Sequence, residues 1–86
     1  MIPLSKREHD CLLWTARGKT YIEITMILEI AYGTVKSNLD NARYKLNSST
    51  LAQATARAVA LNILTLRDLA DDESTLRRDP ARTSAY

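Results

Sequence analysis

The stretch TYIEITMILEIAYGTVKSNLDNARYKL, residues 20–46, decides the fold of this 86-residue chain. Thr20 is followed three residues later by Glu23, which is the spacing of a capping box. In that motif each side chain satisfies a free backbone amide of the other residue, so the pair marks the start of a helix. Apolar residues then recur at helical spacing on one face: Ile24, Ile27 and Leu28. The sequence therefore predicts a short helix over residues 20–28.

A second helix is predicted over residues 32–46, and its two faces differ. The apolar positions recur at i, i+4, i+7 and i+11 and form one stripe: Val35, Leu39, Ala42 and Leu46. The opposite face is polar and mixes both signs of charge. Because three residues separate the two helices, the pair has the layout of a helix-turn-helix, whose second helix lies in the major groove of DNA. Any other small helical bundle shows similar periodicity, so the pattern alone leaves both interpretations open.

Further helices are predicted on both sides of this pair. Ser5 with Glu8 has the spacing of a capping box and starts a helix that ends near residue 17. Thr50 with Gln53 has the same spacing and starts an alanine-rich fourth helix over residues 50–64. Small side chains let two helices approach closely. The predicted fold class is all-α, a four-helix bundle over residues 4–64.

Residues 65–86 differ from the rest of the chain. Leu66, Leu69 and Ala70 keep helical spacing with Ile63, so residues 65–72 are predicted to extend the fourth helix. Residues 74–86 are polar and contain Pro80, and we predict that this tail is partly disordered.

Composition excludes several classes of protein and leaves nucleic-acid binding open. The single cysteine, Cys11, excludes a disulfide framework and a multi-cysteine zinc site. No apolar run approaches the roughly 18 residues of a membrane span, and no signal peptide is recognised, so a cytoplasmic protein is expected. No catalytic constellation occurs, so neither an enzyme, a cofactor nor a metal is expected. Residues 1–64 carry eight Lys and Arg against five Asp and Glu, which permits binding to nucleic acid without requiring it.

The four predicted helices together resemble the LuxR-type helix-turn-helix domain. The resemblance runs without gaps over residues 4–64, and its opening is similar to the DNA-binding half of quorum-sensing regulators. It implies a bacterial transcription regulator that binds double-stranded DNA as a homodimer, paired through the fourth helix. The matching positions are Leu4-Ser5-x-Arg7-Glu8, Cys11-Leu12-x-Trp14-x-Ala16-x-Gly18-Lys19-Thr20, Glu23-Ile24, Ile27-Leu28-x-Ile30, Gly33-Thr34-Val35-Lys36, Leu39, Asn41-Ala42, Lys45-Leu46, Gln53-Ala54 and Ala56-Arg57-Ala58.

The resemblance also implies roles for individual residues. Side chains of the third helix would reach base edges, and Lys36 would bind guanine, the commonest specific contact. Glu8 would be a buried acid paired with Lys45. The implied DNA-contacting residues are Lys36, Ser37, Asp40, Asn41, Thr34, Arg43, Lys19, Thr20 and Tyr21. The implied dimer contacts are Leu51, Ala54, Thr55, Ala58 and Leu61.

Several positions depart from the family pattern, three of them on or next to the helix-turn-helix pair. Asp40 is acidic where many relatives carry a basic residue, so it either accepts a hydrogen bond from cytosine N4 or repels phosphate. Glu29 replaces a frequent Gly in the turn. Ala31 replaces the Ser that usually caps the third helix, a loss of about 1 kcal/mol.

Two other functions stay open. An anti-activator would pair through its fourth helix with a full-length LuxR-type regulator, and Asp40 and Ala31 motivate that alternative. Residues 33–43 also resemble the promoter-reading helix in region four of extracytoplasmic-function sigma factors, which would imply a contact with RNA polymerase. Relatives carry a signal-binding or receiver domain ahead of Leu4, so we expect an excised C-terminal domain or a stand-alone regulator.

Overall fold

The computed structural model describes residues 4–69, and every regular element in that part of the chain is a helix. The all-α fold class is therefore confirmed. The tail for which disorder is predicted lies outside the described residues. In chain order the helices are α1 (Lys6–Ala16), α2 (Tyr21–Leu28), α3 (Tyr32–Lys45), α4 (Leu51–Ala60) and α5 (Leu66–Leu69).

Reciprocal side-chain caps fix the starts of α1 and α2. The Ser5 hydroxyl accepts a hydrogen bond from the Glu8 amide at 3.1 Å, and the Glu8 carboxylate accepts one from the Ser5 amide at 2.9 Å. Thr20 and Glu23 repeat the arrangement at 3.2 and 2.8 Å. Both predicted capping boxes are confirmed. They give partners to amides that a helix leaves unbonded in its first turn.

The cap of α4 is only half of the predicted box. Thr50 Oγ1 accepts from the Gln53 amide at 3.0 Å, as predicted. The Gln53 side chain, however, accepts from the amide of Ser49 at 2.8 Å rather than from that of Thr50. The reciprocal bond therefore falls one residue earlier and ties α4 to the turn before it.

The prediction that the fourth helix continues beyond residue 60 is wrong over residues 61–69, the part of that segment that the structure describes. The helix ends at Ala60, and Asn62 adopts a left-handed conformation with φ of 62°. A straight helix would place Leu64 one turn beyond the exposed Ala60, whereas the turn buries Leu64 completely. Thr65 and Asp68 then exchange two hydrogen bonds, at 3.1 and 3.0 Å, that start the separate helix α5.

The core of the bundle lies among α1, α2, α3 and α4. The predicted stripe of α3 is buried along its whole length, because Val35, Leu39 and Ala42 are fully inaccessible and Leu46 nearly so. The opposite face of α3 is therefore left outside the core. The other fully buried apolar residues are Cys11, Leu12, Ile24, Ala54, Ala58 and Leu64.

An ion pair joins the start of α1 to the end of α3. Lys45 Nζ lies 2.8 Å from Glu8 Oε1, and only 8% of the Glu8 side chain is exposed against 37% for Lys45. Burial raises the pKa of Glu8, but hydrogen bonds from Lys45 and Ser5 outweigh burial and leave that pKa below its ordinary value. The predicted pairing is confirmed. It fixes the position of α3 relative to α1.

Two long-range hydrogen bonds hold the end of the described chain against α1. The His9 ring nitrogen Nε2 lies 3.1 Å from the carbonyl oxygen of Ile63, and Arg17 Nε donates to the carbonyl of Asp68 at 2.8 Å. The Arg17 guanidinium also lies 4.6 Å from the ring centroid of Trp14. The bond from Arg17 to Asp68 docks α5 on α1.

Candidate nucleic-acid interface

The outward face of α3 carries most of the side chains for which DNA contact is predicted. Burial of the apolar stripe turns the intervening residues toward solvent. Thr34, Lys36, Ser37 and Asn41 are exposed, while Asp40 is partly exposed. With the half-buried Arg43, one regular helix therefore presents six of the nine predicted residues on one rigid surface.

Asp40 lies between two cations on this face. Its Oδ2 is 3.1 Å from Lys36 Nζ, and its Oδ1 is 3.8 Å from an Arg43 guanidinium nitrogen. The three residues are spaced i, i+4 and i+7, which is one row along a helix surface. The row carries two positive charges and one negative charge, so its positive field is about half that of the two cations alone.

Arg43 is also anchored to the turn between α3 and α4. Its Nη1 donates to the carbonyl oxygens of Ser48 and Ser49 at 3.3 and 3.4 Å. These bonds are long, so each is individually weak. Their combined effect is to hold the guanidinium beside Asp40 at the C-terminal end of the polar face.

The start of α2 lies beside the start of α3. Tyr21 and Tyr32 contact each other with ring centroids 5.6 Å apart, and this contact joins the first turns of the two helices. Lys19 and Thr20 are exposed immediately before α2. The Thr20 hydroxyl already caps the helix, so Lys19 supplies the charge at this end. The tyrosine pair is not predictable from the sequence, because nothing in the local pattern joins residues eleven positions apart.

The first turn of α3 has no side-chain cap. Ala31 occupies the cap position with φ of −69° and ψ of 153° and offers no side-chain acceptor. The Thr34 amide instead bonds to the Ala31 carbonyl at 3.0 Å. Other amides of the first turn have no intrahelical acceptor, which makes a helix start attractive to a phosphate group. The exposed Thr34 hydroxyl lies in the same turn.

Two of the five residues predicted as dimer contacts lie inside the chain. Ala54 and Ala58 are fully buried, where they pack in the core, so neither offers surface to a partner. Leu51 and Thr55 are half-buried, and Leu61 is 59% exposed. Periodicity identifies the small-residue stripe of α4 correctly, but the stripe packs within the bundle.

The outer face of α4 consists of other residues. Gln53, Ala56 and Ala60 follow one another at helical spacing and are exposed. Arg57 lies beside them, and Leu61 follows at the end of the helix. The surface available to a partner is therefore this face, which is shifted around α4 from the predicted one.

A short apolar strip on α2 is also exposed. Ile22 and Met26 lie one turn apart and are 57% and 66% accessible. The sequence analysis did not single them out, although two large apolar residues off the buried face of a helix are a recognisable signal. Single exposed apolar residues are common, but an adjacent pair is a candidate contact for another protein.

Other chemistry has little support within residues 4–69. In that part of the chain no three His, Cys, Asp or Glu side chains are placed to hold a metal ion. Burial raises the pKa of the Cys11 thiol, which keeps it protonated and unreactive. Within the same residues no helix has the length and apolarity needed to cross a bilayer.

Comparison with known proteins places this geometry in context. Residues 2–58 match the family of bacterial regulatory proteins described as the luxR family. The chain is 47% identical over 66 residues to the HTH-type quorum sensing-dependent transcriptional regulator VjbR of Brucella ovis. The match covers 77% of this chain and 26% of VjbR. Identity to the transcriptional activator protein AnoR of Acinetobacter nosocomialis is 43% over 61 residues, covering 71% of this chain and 26% of AnoR.

A third relative shows the same extent of similarity. The regulatory protein SdiA of Escherichia coli is 42% identical over 60 residues, which cover 70% of this chain and 25% of SdiA. The chain thus spans about a quarter of the length of these relatives. No solved structure matches it significantly.

Proposed function

This chain belongs to the luxR family of bacterial regulatory proteins, and from that premise we propose that it regulates transcription by binding duplex DNA with α3 in the major groove. The observation that carries the proposal is the division of α3 into two faces. One face is buried along its length, and the other presents polar and charged side chains to solvent. A major groove about 12 Å wide admits such a helix.

Side chains of α3 and of the start of α2 divide into base readers and phosphate contacts. Lys36, Ser37 and Asn41 are exposed in the middle of α3, where the helix would lie deepest in the groove. Thr34 and Lys19 lie at helix starts, where amides and positive charge favour phosphate. Base contacts supply sequence preference, and phosphate contacts set the orientation of the helix.

We infer a homodimer that pairs through the outer face of α4. Ala56 and Ala60 let two helices approach closely, and Leu61 supplies exposed apolar surface. A two-fold dimer presents two α3 helices to half-sites about 34 Å apart, one turn of DNA. Leu61→Glu should convert the dimer to a monomer in sedimentation experiments. Ile22→Glu, which places the same charge on α2, should leave the dimer intact.

A genomic DNA selection followed by titration tests the function. The full chain should select a site with two symmetric half-sites and bind it on the order of 10³-fold more tightly than random DNA. With Lys19 and Arg43 of each copy near phosphates, log K should fall with log salt concentration at a slope of about −4. Uniformly weak binding to all sequences would refute the proposal.

A variant pair separates specific contact from loss of charge. Lys36→Ala should cost the selected site about 1–3 kcal/mol of binding free energy and relax preference at one position. Lys6→Ala is the matched control, because Lys6 pairs with Asp10 at 3.4 Å on α1 with the same i,i+4 spacing. The control should leave site selection unchanged.

One observation favours a second candidate, an anti-activator that forms heterodimers. Asp40 lowers the positive charge of the reading face, which weakens DNA binding by this chain alone. Such a protein would pair through α4 with a full-length LuxR-type regulator. Co-purification with that regulator, and loss of its DNA binding on mixing, would support this candidate.

Activation of transcription would add RNA polymerase as a partner. The exposed pair Ile22 and Met26 on α2 is the surface that we propose for that contact. The contact would form in the bacterial cytoplasm. Ile22→Ser combined with Met26→Ser should then lower transcription in a reporter assay without lowering DNA affinity.

A further inference from the structure

The ion pair on the polar face of α3 forms a donor and an acceptor at a fixed spacing. Lys36 Nζ offers only donors, the Asp40 carboxylate offers only acceptors, and 3.1 Å separates them. Both side chains are accessible from solvent, so DNA in the groove would meet them together. The spacing is close to one found on the edge of a base pair.

A G·C pair presents the complementary groups in the major groove. Guanine offers the acceptors N7 and O6, and cytosine offers the N4 amino donor. O6 and N4 are joined by a Watson–Crick hydrogen bond, so they lie about 2.9 Å apart. We propose that Lys36 and Asp40 act as one unit that reads a single G·C pair, with Lys36 donating to guanine and Asp40 accepting from cytosine N4. This inference rests on the proposed DNA-binding function.

Arg43 holds Asp40 in position for that contact. It faces the second carboxylate oxygen, Oδ1, at 3.8 Å, while its own Nη1 is bonded to the turn after α3. A carboxylate has about four acceptor sites, so contacts with two cations leave room for a base donor. Arg43 is therefore a positioning residue for the reading unit, besides any contact with phosphate.

The other base pairs fit the unit less well. In an A·T pair the N6 donor of adenine lies between the acceptors N7 of adenine and O4 of thymine. The Lys36 ammonium therefore loses the two adjacent acceptors that guanine offers, and the thymine methyl group adds bulk. A reversed C·G pair places donor and acceptors in the opposite order along α3. Near phosphates the carboxylate is repelled, so Asp40 favours binding only where a base donor meets it. Its expected effect is on sequence preference more than on affinity.

Modified bases in the selected site test each contact separately. N4-Methylcytosine removes the major-groove donor and should weaken binding of the wild-type chain by at least about fivefold. 7-Deazaguanine removes N7 and should have a similar effect through Lys36. An inosine·cytosine pair keeps the major-groove edge of G·C, so it should leave the affinity unchanged.

Substitutions should remove these penalties one at a time. Asp40→Ala should abolish the N4-methylcytosine penalty and keep the 7-deazaguanine penalty, whereas Lys36→Ala should do the reverse. Lys36 is exposed, Asp40 is partly exposed and neither lies in the core, so both variants should fold. Asp10→Ala is the matched control, because Asp10 on α1 also pairs with a lysine at i−4 and an arginine at i−3, at 3.4 and 3.8 Å. The control should keep both penalties.

Two negative results have different meanings. In the first, Asp40→Ala binds every sequence more tightly than the wild-type chain does, and N4-methylcytosine weakens the binding of both proteins equally. That result would mean that Asp40 only repels phosphate. The inference then fails while the regulator function stands. If the wild-type chain selects no sequence, the proposed function itself fails. An unchanged preference profile in Lys36→Ala would also overturn the reading unit.

Discussion

A serine at position 31 should stabilise the chain, because the backbone there already has the geometry of a capped helix start. Ala31 has φ of −69° and ψ of 153°, close to −67° and 164° at Ser5 and −77° and 166° at Thr20. At both of those positions the side-chain oxygen accepts from the amide three residues later. In the Ala31→Ser variant the introduced hydroxyl should accept from the Thr34 amide without movement of the backbone.

The gain should be modest. A side-chain cap is typically worth about 1 kcal/mol relative to Ala. The Thr34 amide already bonds to the Ala31 carbonyl at 3.0 Å, so it is not an unpaired group in the wild-type chain. We therefore expect an increase of about 0.5–1 kcal/mol in the free energy of unfolding. For a domain of this size that corresponds to a rise of roughly 2–8 °C in Tm.

Urea unfolding followed by circular dichroism measures the change directly. The midpoint should rise and the slope m should stay constant, since the surface exposed on unfolding does not change. Thr50→Ala is the reciprocal control: it removes the cap that α4 has and should lower the free energy of unfolding by about 1 kcal/mol. If Thr50→Ala destabilises the chain but Ala31→Ser leaves the midpoint unchanged, the reasoning from backbone geometry is refuted.

Three further changes have expected outcomes that the same unfolding assay checks. Glu29→Gly should raise the free energy of unfolding by about 0.5–1 kcal/mol, because Glu29 holds a left-handed φ of 57° that a glycine adopts without strain. A lower free energy of unfolding in this variant would show that the Glu29 side chain is stabilising. Leu64→Ala should lower the free energy of unfolding by about 2–5 kcal/mol, because Leu64 is fully buried. Leu66→Ala, at an exposed position, should lower it by less than about 0.5 kcal/mol. Equal effects of the two substitutions would contradict the turn after α4. Glu8→Gln should lower the free energy of unfolding by about 1–3 kcal/mol, at the lower end of buried-pair values because Lys45 is partly exposed. Burial raises the pKa of Glu8, but its hydrogen bonds leave that pKa below the ordinary 4.5, so the stabilisation is complete above pH 4.5 and is lost as the pH falls through the lower folded-state pKa. Glu8→Gln should lack that part of the acid sensitivity, and an unchanged acid profile would count against the ion pair.

Local signals made the helix starts and the polar face of α3 predictable. A capping box needs only two residues three positions apart, so Ser5 with Glu8 and Thr20 with Glu23 are visible in the sequence and in the structure. The stripe of α3 is equally local, and its burial leaves the polar face of that helix outside the core. The end of α4 is different, because it is decided by the burial of Leu64 against distant residues. A local clue did exist in Thr65-x-x-Asp68, which has the spacing of a new helix start.

Helix α4 shows why periodicity is not sufficient to predict a surface for a partner. A stripe of small residues indicates close packing, but it does not indicate whether the neighbour belongs to the same chain. Ala54 and Ala58 pack within the bundle, so the outer face of α4 falls on Ala56 and Ala60 instead. The pairing of Lys36 with Asp40 is an i,i+4 spacing that the sequence contains, yet its distance and the anchoring of Arg43 by the next turn need three-dimensional information.

The shielding of Glu8 also has a practical consequence for handling the protein. In about 1 M salt the Debye length falls to roughly 3 Å, so attractions between solvent-facing charges and a polyanion largely vanish. The contact between Glu8 and Lys45 spans 2.8 Å, and its carboxylate is almost closed off from the bulk. The scaffold that orients α3 should therefore survive ionic strength that releases the polyanion. A salt gradient on immobilised heparin should elute the chain folded, with α1 and α3 still joined and ready to bind again after dialysis.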